Sequence, residues 1–185
     1  MPKLLPADPV KRGRVKLALL LALFAIPVMA GWVAYVSGWG SGAAANYGTL
    51  LPPRLLEDPA LVALRGKWVL VALDRAACDS RCEQKLYYMR QVRRAQGRQM
   101  SRVERLWLVT DPVAPAPALL AAIEGTHLAR SDERLAGAFP AERAATDHIY
   151  LVDPLGNLML RFPRDPNPSK IVKDLERLLK YSGFG

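Results

Sequence analysis

Cysteine is nearly absent from this chain. Cys78 and Cys82 are the only two among 185 residues, too few for a disulfide scaffold. Histidine is equally scarce, with His127 and His148 alone, so a histidine-rich metal cluster is excluded. Acids are outnumbered, 17 against 26 lysines and arginines, for a formal net charge of +9. That excess is uneven. The first sixteen residues hold Lys3, Lys11, Arg12, Arg14 and Lys16 against Asp8, and the rest of the chain is only mildly basic. Its bases are spread as on a solvated face, so no nucleic-acid partner is expected. Internal repeats and low-complexity tracts are missing as well.

One stretch lacks charge altogether. Leu17 to Val36, LALLLALFAIPVMAGWVAYV, is twenty residues without an ionisable acid or base. A bilayer core of about 30 Å is crossed by roughly 20 apolar helical residues. Trp32 and Tyr35 lie near its outer end, where amphipathic rings favour the headgroup level. Pro27 and Gly31 are tolerated in such a span. No charge follows until Arg54, so the basic excess lies on the N-terminal side, which the positive-inside rule makes cytoplasmic. The expectation is a single-pass protein of the inner (cytoplasmic) membrane. Residues 1–16 form its cytoplasmic tail and 17–36 its transmembrane helix, and the remainder is exported to the periplasm. A cleaved signal peptide is the alternative, with Ala43-Ala44-Ala45 as small residues for cleavage. The apolar run exceeds a signal core of about 7–15 residues, and the alanines lie well past its end; an uncleaved anchor is expected.

Residues 37–60 are rich in Gly, Ala and Pro and read as a linker, leaving 61–185 as one domain. After the turn Arg65-Gly66-Lys67, Trp68 to Leu73 is a short valine-rich run that suits a strand buried on both faces. Glu83 to Gln96 is rich in helix formers, with Leu86, Met89 and Val92 on one stripe. Val103 to Val109 reads as a second strand, closed by Asp111-Pro112. Pro117 to Glu124 reads as a helix ending at Gly125. Ser131 to Phe139 reads as another, capped by Ser131. Ile149 to Val152 and Asn157 to Phe162 form a hairpin about the turn Asp153-Pro154-Leu155-Gly156. Pro168 to Tyr181 is an amphipathic helix starting at Ser169, with Ile171, Leu175, Leu178 and Leu179 inward. Two strands joined through a helix must pair in parallel by a crossover. The order strand, helix, strand, helix, hairpin, helix is that of an α/β, thioredoxin-like domain.

Cys78-Asp79-Ser80-Arg81-Cys82 follows the first buried strand and opens the next helix, at the end of the sheet where α/β sites collect. A helix N-terminus favours thiolate over thiol, and Arg75 and Arg81 add positive charge. Asp79 and Glu83 add negative charge. An i, i+4 pair on one helical turn has Cβ atoms about 5–6 Å apart, wide for a bridge unless the turn distorts. One disulfide, a bound metal and thiol exchange therefore all remain open. Two thiolates with an imidazole suit copper, or zinc with a fourth ligand. His148 starts a strand; His127 lies between two helices and reads as a surface or core residue without a special role.

RGKWVLVAL, a Cys-x3-Cys, a strand ending in TDP, and a His followed directly by IYLVDPLGNL together resemble the Sco/SenC family, over about residues 61–181. Those are membrane-anchored, thioredoxin-like proteins that assist copper delivery to cytochrome c oxidase. The resemblance implies copper as the metal, Cys78, Cys82 and His148 as its ligands, and a copper-receiving oxidase subunit as partner. The family's usual Cys-Pro-Asp-x-Cys-Pro is here Cys-Asp-Ser-Arg-Cys-Glu. Three functions are thus in view. The first is a copper-binding assembly factor. The second is a thiol-disulfide oxidoreductase using Cys78 and Cys82 as catalytic residues without His148. The third is a non-catalytic docking subunit with a static bridge.

Overall fold

A computed structural model describes residues 9–37 and 46–183. Residues 1–8, 38–45 and 184–185 lie outside it, and with them Lys3, Asp8 and the alanines 43–45. The chain divides into two units between Ala45 and Asn46.

The first unit holds helix α1, Pro9–Val36. It begins eight residues before the uncharged run, so Lys11, Arg12, Arg14 and Lys16 ride on its first turns. Its 27 residues from Val10 to Val36 are long and apolar enough to cross a membrane, about 40 Å at 1.5 Å per residue.

The second unit is a six-stranded mixed sheet in the order β1-β6-β5-β2-β3-β4. In chain order the strands are β1 (Thr49–Leu55), β2 (Trp68–Asp74), β3 (Val103–Val109), β4 (His127–Arg130), β5 (Ile149–Val152) and β6 (Asn157–Arg161). The helices between them are α2 (Pro59–Val62), α3 (Ser80–Ala95), α4 (Pro117–Ala122), α5 (Glu133–Ala136) and α6 (Pro168–Tyr181). The crossover through α3 makes β2 and β3 parallel, in register from Trp68↔Val103 to Asp74↔Val109. The hairpin β5–β6 is antiparallel, and β5 runs antiparallel to β2.

A central strand has neighbours on both faces, which is why β2 is apolar from Trp68 to Leu73. Leu70 and Ala72 face one core, with Leu86, Met89 and Val92 of α3 and Ile171, Leu175 and Leu179 of α6. Val69, Val71 and Leu73 face the other, with Leu56, Leu61, Leu135 and Phe139. Leu178 packs only at the margin of the first core.

Several expectations are corrected. The compact unit begins at Asn46, not at residue 61, and the second half of the supposed linker is structured. Thr49–Leu55 pairs antiparallel with β6, with a register shift between Leu50 and Arg54. Pro52 and Pro53 hid this strand in the sequence, but an edge strand tolerates proline because its outer N–H groups need no partner. Leu56 and Leu61 are buried, and Asp174 on α6 accepts from the amides of Tyr47 and Gly48 at 3.0 and 2.8 Å. His127 lies between the helices α4 and α5 as expected, but on a strand that was not: it opens β4, an edge strand parallel to β3 that buries too little to show a pattern. The helix expected over Ser131 to Phe139 is the single turn Glu133–Ala136, capped by Asp132 instead of Ser131. Asn167 caps α6 with Pro168 at its first position, so Ser169 is not the start.

Candidate functional site

Strands β2 and β3 end together, and the amide of Thr110 donates to the carbonyl of Asp74. From this edge the chain loops to the cysteines. Asp111 Oδ1 accepts from the amide of Ala76 at 3.0 Å, so the Asp-Pro after β3 also holds the loop after β2. Asp79 then caps α3, accepting from the amides of Arg81 and Cys82 at 3.0 and 2.9 Å.

This cap decides the geometry of the pair. Cys78 precedes Asp79 and lies outside the helix, while Cys82 lies in its first turn. The two are therefore not stacked on one helical turn as the spacing suggested. Their Cα atoms are 5.2 Å apart and they form a disulfide, within the usual 4.4–6.8 Å span. Cys82 is 1 % exposed and Cys78 only half-buried, so Cys78 is the more accessible residue of the pair. The capping carboxylate occupies the N–H groups that would otherwise favour a thiolate, and Glu83 adds to it. Arg81 opposes both, but it is shared with Asp147 at 3.5 Å.

His148 is buried at the start of β5. Its Nδ1 lies 2.8 Å from the carbonyl oxygen of Phe162. A carbonyl only accepts, so Nδ1 carries the proton and Nε2 keeps the lone pair, the arrangement in which imidazoles bind metals. The short turn before it, Ala145–Asp147, is tied to the cysteine-bearing helix. Besides Arg81, Asp147 pairs with Arg164 at 3.2 Å, and the carbonyl of Thr146 accepts from Lys85 Nζ on α3. The neighbours in sequence of Cys82 and His148 thus meet. Among the described residues, however, no group of three or more His, Cys, Asp or Glu side chains is placed to hold a metal ion. With the disulfide closed, Cys78 and Cys82 offer no thiolate. The donor set suits a soft ion only after reduction.

His127 takes no part in this site: its Nε2 lies 3.5 Å from Glu104. Tyr150, edge-on to His148, donates its hydroxyl to the carbonyl of Pro140. Its phenol is pushed up to about 12, mainly by burial, with Asp147 adding and Arg161 opposing. In mid-strand, opposite Leu70, Arg105 is lowered to about 10. Burial is the main cause, followed by Arg93, Arg90 and Arg94, and Glu104 opposes them.

Sequence reasoning missed Lys85, Asp147 and the reach of Asp111. Only Lys85 left a signal: it interrupts the apolar stripe Cys82, Leu86, Met89, Val92 at a buried position.

Residues 68–182 match the family described as "Transmembrane-like, thioredoxin-like, C-terminal domain". The chain belongs to that family. No curated protein matches it. Among solved structures it is similar to ScoI of Bradyrhizobium japonicum with copper bound, at 21% identity and TM-score 0.51, covering 63% of this chain and 88% of that one. It is also similar to yeast Sco1 with copper bound, at 13% identity and TM-score 0.55, covering 76% of this chain and 96% of that one. A third is the thioredoxin domain of a thiol-disulfide oxidoreductase from Bacteroides vulgatus, at 20% identity and TM-score 0.48, covering 74% and 99%. The family match and the first two likenesses show the fold, which is thioredoxin-like as the element order implied.

Proposed function

We propose that this chain is a membrane-anchored thiol–disulfide exchange protein acting on cysteines outside the cytoplasm. The observation that carries the reading is the asymmetry of the bridge: Cys78 half-buried beyond the helix cap, Cys82 enclosed behind it. A substrate thiolate attacks Cys78 Sγ; the Cys78–Cys82 bond breaks and its electron pair leaves with Cys82 as thiolate. A second substrate thiolate attacks the substrate sulfur of that mixed disulfide, and Cys78 leaves with its electron pair. The substrate dithiol is oxidised by two electrons, and Cys78 and Cys82 take up those electrons with two protons. The reverse sequence reduces a substrate disulfide, and relative potential sets the direction. Basic residues before and along the first turns of α1 support an N-terminus in the cytoplasm and a domain in the periplasm. In the test, the Cys82→Ser full chain accumulates a mixed disulfide at Cys78 with a disulfide-bonded peptide, whose other half leaves as a thiolate, and Cys78→Ser forms none at Cys82. Equal labelling of both variants would remove the asymmetry and the reading with it.

A second reading is delivery of copper(I) to an oxidase subunit. It is favoured by the Nδ1-protonated His148 and by the Arg81–Asp147 contact that brings its turn to α3. The reduced Cys78 and Cys82 with His148 Nε2 are the donors this requires, and copper(I) accepts such a soft, low-coordinate set. His148→Ala is expected to weaken copper(I) binding by the reduced protein while the bridge still forms. Unchanged binding contradicts this reading and leaves the first intact.

A further inference from the structure

The exchange chemistry leaves one buried group without a role. Lys85 lies on α3 three positions after Cys82 and is 2 % exposed. Burying an ammonium is costly unless it is paired and fully hydrogen-bonded, and a methionine would fill the same stripe without a charge. The ammonium has three N–H groups, and three acceptors meet it. They are the Leu73 carbonyl at 3.2 Å, Asp74 Oδ2 at 2.8 Å and the Thr146 carbonyl. Leu73 and Asp74 close the strand from which the cysteine loop departs. Thr146 precedes Asp147 and His148. Lys85 itself belongs to the cysteine-bearing helix. One side chain thus joins the three segments that build the site.

We propose that Lys85 is a positioning residue. Its ammonium fixes the turn of Thr146, Asp147 and His148 against α3, and so sets the wall beside which an incoming thiol meets Cys78. With all three N–H groups committed, Lys85 has none left for a sulfur, and it acts on the cysteines through the turn. The second link between turn and helix, Arg81 to Asp147, is longer at 3.5 Å and its arginine is partly exposed. A solvent-screened pair of that kind contributes little, so the buried contact carries the placement. Only the kinetic half of this inference rests on the exchange reading; the placement stands on the three hydrogen bonds.

The test uses the oxidised full chain in detergent micelles, comparing the parent with Lys85→Met by amide hydrogen exchange. Amides of residues 145–148 are expected to exchange about tenfold to a hundredfold faster, as losing a hydrogen bond to a charged group implies. Those of β3 and β5 keep the parent rate. The rate of reduction by a dithiol peptide falls by about tenfold to a hundredfold, the scale of a displaced reacting geometry, while the equilibrium with glutathione is unchanged. An unchanged turn overturns the proposal, and so does a domain that loosens everywhere alike, the mark of a purely structural lysine. Should Lys85→Met fail to fold, Lys85→Met with Asp74→Leu removes both charges of the pair; the same local pattern is expected and the same two outcomes overturn it. If the folded parent reacts no faster than the urea-unfolded chain, the exchange reading fails, and the hydrogen-exchange result still decides the role of Lys85.

Discussion

The strand β5 is flanked by two aspartates with opposite tasks. Asp153, at its far end, closes its own turn: Oδ1 accepts from the amides of Leu155 and Asn157, and Oδ2 from the Asn157 side chain. Gly156 completes that turn at φ +95, a value natural to glycine alone. Asp147, at the near end, accepts from no backbone group of its own turn and instead holds Arg81 and Arg164. One end of the strand is closed by bonds that backbone amides donate, those of its own turn to Asp153 and those of Leu56 and Gly66 to the carbonyls of Gly156 and Pro154. The other is held by side chains brought from distant segments, and there lie the cysteines and His148. A scaffold end needs stability; a reactive end needs groups that can be retuned without unfolding the rest.

The largest expected effect falls on what both ends share. Leu70 is fully buried in β2, and Leu70→Ala should cost about 2–5 kcal/mol, read as a lowered urea midpoint. A loss below that range would mean the sheet centre is looser than its packing. Next comes the sealed end. Asp153→Ala should cost about 1.5–3 kcal/mol, the scale of hydrogen bonds to a charged acceptor, with the reduction rate of the disulfide unchanged. Asp147→Ala should invert this. Its arginine partners are 38% and 46% exposed, so stability changes by less than about 1 kcal/mol, while the reduction rate shifts. If both variants alter stability alone, the division between the ends is broken.

The smallest effect is one of pH. The Tyr150 phenol titrates near 12 when folded and about 10 when unfolded. Its contribution is fully present below about pH 10 and is lost as pH rises toward 12, because only the unfolded chain ionises there. Arg105 runs the other way: near 10 when folded and at least about 12.5 unfolded, it is disfavoured at neutral pH and relieved above 10. Tyr150→Phe should therefore turn the slope of stability between pH 9 and 11 upward relative to the parent, measured as urea midpoints at both values. An identical slope would contradict the buried phenol.

The same contrast explains what was legible. Asp-Pro-Leu-Gly announced its turn because its bonds join residues two and four apart. The apolar runs of β2, β3 and β5 announced themselves because burial on both faces favours apolar side chains, Glu104 and Arg105 being the exceptions in β3. β1 and β4 were invisible, since edge strands with exposed faces carry no pattern, and Pro52-Pro53 argued for a linker. At the site the cysteine pair and its place after β2 were readable. The Asp79 cap that moves Cys78 out of the helix required knowing where α3 begins. The contacts of Lys85 and Asp147 join elements whose pairing exists only once the sheet is formed, so no local spacing encodes them.

The central claim is that the Cys78–Cys82 bridge is a working couple and not a static staple. It is tested most directly by equilibrating the full chain across a glutathione series, trapping free thiols by alkylation and weighing the products. The account predicts a single two-electron transition with a midpoint above about −300 mV, where labile and catalytic disulfides lie. A bridge that stays closed until the poise is more reducing than that would be structural, and would contradict it.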